Sequence, residues 1–313
     1  MQPGGVLSMS GRKAVGRVTP DVGRALLLCG YPKSGTTLLQ SLLDGHPDVL
    51  VIPEETKYFA RLHRFPWRRR ASYLLRRTRI ARFDPKVEGI YDLDYVDWSD
   101  FQRELRARLP VLPRQREVLP AIAGAYARAS GLPQTEWSYW VEKTPGNERH
   151  LASARAMWPE LRALYLVRDP RDVFTSFRIK RGQRGKGLAV GAFCAAWRAS
   201  LVAWDDFVTA SPVDAHCVTY ESLVEDPEAE LKRLCAFLEI EDSASLRRPT
   251  VGSRAWGGNS VHGDHFAGVS SAPIGRHRSQ LSGEEVRQIE HELAPAFERF
   301  GWRPTFHERN DRV

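Results

Sequence analysis

Leu26-Leu27-Leu28-Cys29-Gly30-Tyr31-Pro32-Lys33-Ser34-Gly35-Thr36-Thr37-Leu38-Leu39 joins an apolar run of strand length to a Gly/Pro/Ser turn, after which Thr-Thr opens a run with helical spacing. Such a strand, loop and helix form an anion cradle. Backbone N–H groups at a helix N-terminus lack partners within the helix, and the helix dipole favours negative charge there. The apolar face Leu38, Leu39, Leu42 and Leu43 continues the helix, and Gly45-His46-Pro47 stops it. His46, held before a proline, is read as a structural turn residue.

The spacing Gly30-x4-Gly35 is that of a Walker-type phosphate loop, but Thr36 fills the position of the Walker lysine. The loop's lysine stands earlier, at Lys33. The next strand, Val49-Leu50-Val51-Ile52, is apolar throughout, as a buried parallel strand is, and ends in Pro53-Glu54-Glu55-Thr56. Open α/β sheets place ligands at the carboxyl ends of their strands, so these two acids occupy a ligand-facing position.

Further strands are expected at Trp140–Lys143, Leu161–Val167 and Cys217–Tyr220. Helices are expected over Leu151–Met157, from Asp172, from Val190 through Val208 and over Gly283–Phe300, with an acid-rich turn and an amphipathic helix over Leu223–Leu238. Residues 84–140 carry prolines at 85, 110, 113, 120 and 133 and read as short helices broken by turns; residues 242–280 read as loop. Alternating strands and helices imply an α/β fold of three layers, αβα, around a parallel sheet. The expected organisation is a disordered lead-in (1–21), one domain (22–304) with a helical acceptor-facing insertion (61–139), and a tail (305–313).

Composition narrows the partners. Net charge is +8, from 46 Lys+Arg against 38 Asp+Glu, which suits an anionic ligand and by itself would equally suit nucleic acid. No apolar run approaches the roughly 20 residues that span a bilayer, and the N-terminus lacks a secretory h-region, so a cytoplasmic protein is expected. Cys29, Cys194, Cys217 and Cys235 lack metal-ligand spacing and are read as buried free thiols. The arginine-dense stretch 61–83 is read as a solvated helical face, or as a lid for an anionic acceptor or a peripheral contact with a membrane surface. Trp197 and Trp204, on the apolar stripe of the Val190 helix, are read as packing.

An ATP-dependent phosphotransferase of this shape needs the Walker lysine and an acid at a neighbouring strand end to hold Mg²⁺. Here the strand Leu161–Val167 ends in Arg168, and Asp169, before Pro170, reads as a turn or cap. Cations replacing metal and acid suit direct phosphate binding, with no metal site expected.

Two stretches carry a resemblance. Tyr31-Pro32-Lys33-Ser34-Gly35-Thr36-Thr37-Leu38-Leu39 resembles the 5′-phosphosulfate loop of sulfotransferases that use 3′-phosphoadenosine 5′-phosphosulfate (PAPS). Tyr165-Leu166-Val167-Arg168-Asp169-Pro170-Arg171-Asp172-Val173-Phe174-Thr175-Ser176 resembles their 3′-phosphate site. Glu142-Lys143-Thr144-Pro145 and Tyr220-Glu221-Ser222-Leu223 are lesser matches, and residues 61–139 match nothing in the family's pattern.

The resemblance implies that PAPS is the cofactor, with adenosine 3′,5′-bisphosphate as product. Ser34, Gly35, Thr36 and Thr37 are then expected around the 5′-phosphate, and Lys33 at the bridging oxygen, where charge develops. Arg168 and Ser176 are expected on the 3′-phosphate. Lys143 is expected to neutralise the sulfuryl group or the 5′-phosphate. Tyr220 either approaches the adenine or packs in the core. Gly275-Arg276-His277-Arg278 resembles the basic segment that closes over the nucleotide, which points to Arg276 or Arg278. The acceptor needs a general base, and Glu55 matches by position; Glu54 is the alternative, because the register of the turn is open, and His150 is a third. The acceptor itself, whether sugar, lipid, peptide or small metabolite, is not readable, and nucleic acid is not expected. The competing classes are an ATP-dependent phosphotransferase and a non-catalytic anion-binding protein.

Overall fold

The computed structural model describes residues 22–62, 93–109, 113–132, 136–182, 187–258, 260–266 and 268–305. The lead-in, most of the arginine-dense stretch and the end of the tail lie outside the described residues. Five parallel strands form the central sheet in the order β2-β3-β1-β4-β5: β1 is Arg24–Cys29, β2 Val49–Val51, β3 Tyr139–Lys143, β4 Arg162–Val167 and β5 Ala215–Thr219. The strand that feeds the Gly30 loop is therefore central, between β3 and β4.

Strand alternation sends side chains to both faces, and both are apolar. Leu26, Leu28, Leu164 and Leu166 pack with α1 (Thr36–Leu43) on one face. Ala25, Leu27, Tyr165 and Val167 pack on the other with Phe174, Phe193, Trp197 and Trp204. The expected three-layer αβα architecture is the observed one. Both tryptophans are buried, and Trp204 stacks on Tyr165 with ring centroids 5.1 Å apart. All four cysteines are free thiols, three of them buried and Cys217 half-buried.

Among the described residues of the expected insertion lie two α-helices, α2 (Trp98–Arg108) and α3 (Gln115–Ala129). Pro120 does not break α3, contrary to its reading as a turn proline. A proline at 120 removes the N–H that would bond the Arg116 carbonyl. The Trp158 indole N–H replaces it, donating to Arg116 O at 3.1 Å. Downstream come α4 (Leu151–Met157), α5 (Pro170–Gly182) and α6 (Val190–Ala210).

The acid-rich turn expected with the Leu223–Leu238 helix separates two helices, and the expected last helix is also split. Over 220–238, α7 (Tyr220–Glu225) and α8 (Pro227–Leu238) meet at Asp226, whose carboxylate accepts from the Ala229 N–H while Pro227 occupies the first turn. The stretch between α8 and residue 280 is less loop-like than its composition suggests. A hairpin pairs Thr250–Val251 with Arg254–Ala255, turning at Gly252 and Ser253 with φ of 58° and 62°. A short helix, α9 (His277–Gln280), follows it. At the end, α10 (Gly283–Glu292) and α11 (Ala294–Phe300) part at Leu293, where Pro295 starts a new first turn. Among the described residues, no helix is long and apolar enough to cross a membrane.

Candidate functional site

Each of the five strands delivers candidate residues at its carboxyl end. The Gly30–Thr37 loop follows β1, Glu54 and Glu55 follow β2, Lys143 ends β3, Arg168 follows β4 and Tyr220 follows β5. A parallel sheet makes this inevitable, because all five carboxyl ends share one edge.

The loop is held from below and from the side. The Gly30 N–H donates to Glu148 Oε2 at 3.3 Å, and Glu148 Oε1 accepts from the Ser200 hydroxyl at 2.7 Å. Tyr31 meets Phe177 and Phe193 edge-on, at 5.6 and 5.5 Å. Gly35 has φ of 101°, and a Cβ there would lie 2.5 Å from Tyr220 Cδ2, so only glycine admits this ring against the loop. Lys33 also takes a left-handed conformation, φ 77°, which costs a side-chain-bearing residue about 1–2 kcal/mol. No side chain caps the start of α1, and its first turn carries no acid. Ser34 is fully buried, and among the described residues its hydroxyl meets no hydrogen-bond partner.

Lys143, 1% exposed, connects this loop to the β2 turn. Its ammonium donates to Glu55 Oε1 at 3.1 Å and to Thr37 Oγ1 at 3.3 Å. A second cation, Lys57, lies 3.8 Å from Glu55 Oε2. Burial pushes the Glu55 carboxyl up, but Lys143, with Lys57 and Lys33, outweighs it and holds the group below the usual glutamate range. Glu55 is ionised at neutral pH.

Sequence reasoning assigned no role to Glu142, the residue beneath this pair. Its fully buried carboxylate accepts from the Thr56 N–H at 3.1 Å, the Thr56 hydroxyl at 2.7 Å, the Thr144 hydroxyl at 2.6 Å and the Asn147 amide. Burial pushes its pKa up, and the four donors only partly offset that. Because Thr56 follows Glu55 and Lys143 follows Glu142, the clamp sets the distance between the two charged partners. An acid before a lysine at a strand end was the available signal, but nothing in the sequence pairs it with Thr56.

On the other side of the loop, the Arg168 guanidinium lies over the Tyr220 ring, 4.3 Å from its centroid. It donates to Pro273 O at 2.6 Å and stands 3.8 Å from Asp172, while its buried Nε meets no partner among the described residues. Ser176 sits on α5, nearly buried. Asp172 ties the late segment down: it accepts from the Gly275 N–H at 2.7 Å, the His277 N–H at 2.9 Å and the His277 ring at 2.8 Å. Arg276 is turned to Asp264 at 2.7 Å. Thus Arg168, Tyr220 and residues 273–277 converge, and Thr37, Lys143 and Glu55 converge. Asp172 and His277 were not singled out in the sequence.

The remaining candidates lie elsewhere or are engaged. His46 bridges backbone, accepting from the Asp48 N–H and donating to Glu241 O, in keeping with a structural role. The His150 ring stacks on Phe59 at 5.5 Å. Asp169 accepts from the guanidinium of buried Arg171, which also pairs with Glu290.

A model described as the sulfotransferase family matches residues 25–244 of this chain. Nodulation protein NoeE of Sinorhizobium fredii is 26% identical over 265 residues, covering 75% of this chain and 57% of NoeE. An uncharacterized protein of Aquifex aeolicus is 23% identical over 225 residues, covering 69% of this chain and 26% of that protein. The chain thus spans little more than half of the first relative and about a quarter of the second. Among solved structures, the sulfotransferase domain from the Synechococcus PCC 7002 olefin synthase superposes with a TM-score of 0.56 at 18% identity, covering 87% of this chain and 95% of that one. The sulfotransferase domain from the curacin biosynthetic pathway gives 0.54 at 19% identity, with 87% and 98% covered. These two likenesses are of fold.

Proposed function

The chain belongs to the sulfotransferase family, and from that premise we propose that it transfers a sulfuryl group from PAPS to a hydroxyl or amine, with Glu55 as general base. The carrying observation is Lys143, whose ammonium contacts both the Thr37 hydroxyl of the anion loop and the Glu55 carboxylate. One cation linking an anion cradle to a carboxylate is the arrangement that moves a proton beside a bound anion.

The chain's polar groups fit the donor at two places. The buried Ser34 hydroxyl and Arg168 Nε lack partners among the described residues, and a buried donor left unpaired is costly unless a ligand meets it. Ser34, Gly35, Thr36 and Thr37 would hold the 5′-phosphate. Arg168 and Ser176 would hold the 3′-phosphate, Tyr220 would face the base, and Arg276 would lie with the closing segment. When bound, PAPS supplies a sulfuryl group on a phosphate, and the overall change leaves adenosine 3′,5′-bisphosphate, a sulfated acceptor and one proton.

The protein's part is electrostatic and acid–base. Lys33 and Lys143 hold positive charge where negative charge grows. Glu55 takes the acceptor's proton. Its low proton affinity comes from Lys143, so an anion at Thr37 that draws this ammonium away loosens the grip on Glu55. Burial then raises the carboxyl's proton affinity when a base is needed.

Thermal shift tests the donor reading. Adenosine 3′,5′-bisphosphate without Mg²⁺ is expected to stabilise the chain by mass action, and ATP–Mg²⁺ to do so less. Stabilisation by ATP–Mg²⁺ alone would favour a phosphotransferase, and salt-sensitive DNA binding without a nucleotide effect would favour a binding protein.

A further inference from the structure

We propose that the cleft bordered by Glu55 takes an alcohol or phenol whose hydroxyl is carried on an apolar body, and that it discriminates against sugars. The inference rests on the transfer reading above. The cleft is lined by Leu93, Trp98, Phe101, Ile122 and Tyr126, with Glu54 and Glu55 among its other lining residues. A mostly apolar lining with a few polar groups is the composition of a small-ligand site.

Several polar groups around this cleft are already engaged inside the protein. The Thr56 hydroxyl donates to Glu142 at 2.7 Å and accepts from the Tyr58 N–H at 3.1 Å, and the Thr56 N–H also goes to Glu142. The Tyr126 hydroxyl pairs with Tyr95 at 2.7 Å. The Gln40 amide donates to the Ile52 and Pro53 carbonyls, at 2.7 and 3.3 Å. A sugar entering here would leave its hydration shell with few new partners for its many hydroxyls, and each one left unpaired weakens binding.

Among the described residues the lining carries no lysine or arginine, and its Glu55 carboxylate is already paired with Lys143 at 3.1 Å and Lys57 at 3.8 Å. An aryl or alkyl body covers Trp98, Phe101 and Ile122. A single hydroxyl then reaches the carboxylate, and its proton passes to Glu55 as the new O–S bond forms and the bond from sulfur to the donor's phosphate oxygen breaks, releasing adenosine 3′,5′-bisphosphate.

Labelled PAPS with 2-naphthol and with cellobiose, alongside the bisphosphate thermal shift, tests this. The expected result is label on 2-naphthol with kcat/KM at least a hundredfold above cellobiose. Ile122→Trp, which fills the cleft, should raise the naphthol KM at least tenfold without changing the bisphosphate shift. Ile122→Phe, a smaller intrusion, serves if the tryptophan variant does not fold. A bisphosphate shift together with cellobiose labelled as well as naphthol, or an unchanged naphthol KM in the Ile122 variants, overturns the acceptor class while sparing the donor reading. A chain that shows no bisphosphate shift and labels no acceptor overturns both.

Discussion

The Lys143 ammonium lies 3.1 Å from the Glu55 carboxylate, and the same nitrogen reaches Thr37, the second residue of the helix that opens at the anion loop. Glu55 comes from the end of β2 and Lys143 from the end of β3, so strand pairing sets their separation. The Glu55 side chain is 34% exposed and that of Lys143 2%, so the cation is buried and its partner is partly open to solvent.

Replacing Glu55 by Gln keeps the shape and removes the proton acceptor. Bisphosphate affinity should hold within about twofold while kcat falls by roughly 10²–10⁴. Glu54→Gln should cost little. Single-turnover kinetics with labelled PAPS decide it, and a collapse in Glu54→Gln alone would show the base to be Glu54.

The pH profile should follow the Lys143 contact. With the Glu55 carboxyl held low, the acidic limb of kcat/KM lies below the ordinary glutamate range. The associated stability is present above the unfolded-state pKa and is lost as pH falls through the folded one. In Lys143→Met the burial effect loses its main opponent, so the limb should move to higher pH and bisphosphate affinity should drop. An unmoved limb would mean that another group titrates.

Glu142→Gln tests the clamp beneath the site. The amide keeps one carbonyl for the Thr56 and Thr144 donors but turns an NH₂ toward the Asn147 amide, a donor facing a donor. Stability should fall by about 1–3 kcal/mol in denaturant melts, and kcat should fall with little change in bisphosphate affinity. Equal losses in both would place Glu142 in nucleotide binding.

Asp172→Ala should free the segment 273–277 from α5. Burial pushes the Asp172 carboxyl up, but the His277 hydrogen bonds and Arg168 outweigh it and hold it low, so the carboxylate is ionised at neutral pH. Removing one member of such a buried set costs about 3–5 kcal/mol. Proteolysis should then cut near Gly275 at lower protease concentration, and bisphosphate should restore protection only partly. Unchanged cleavage would mean that other contacts hold the segment.

Much of this was readable from local pattern. The Leu26–Cys29 run, its glycine turn and the Leu38–Leu43 face specify strand, loop and helix, because periodicity reports which sides of a segment are buried. Helix ends were less legible. Pro120 sits inside a helix because a tryptophan distant in sequence satisfies the carbonyl it orphans, and the last helix breaks at Leu293 where apolar spacing alone runs on.

The sequence by itself determined the sheet, the loop and the residue types at its strand ends, since these follow from burial and backbone chemistry within short windows. Only the tertiary structure decided which of those residues touch. Parallel pairing puts Glu55 against Lys143, the Glu142 clamp ties Thr56 to β3, and Asp172 holds His277 beside Arg168. Each of these contacts joins residues from different elements. Their distances depend on strand order and on buried carboxylates whose partners come from elsewhere in the chain, which no local pattern encodes.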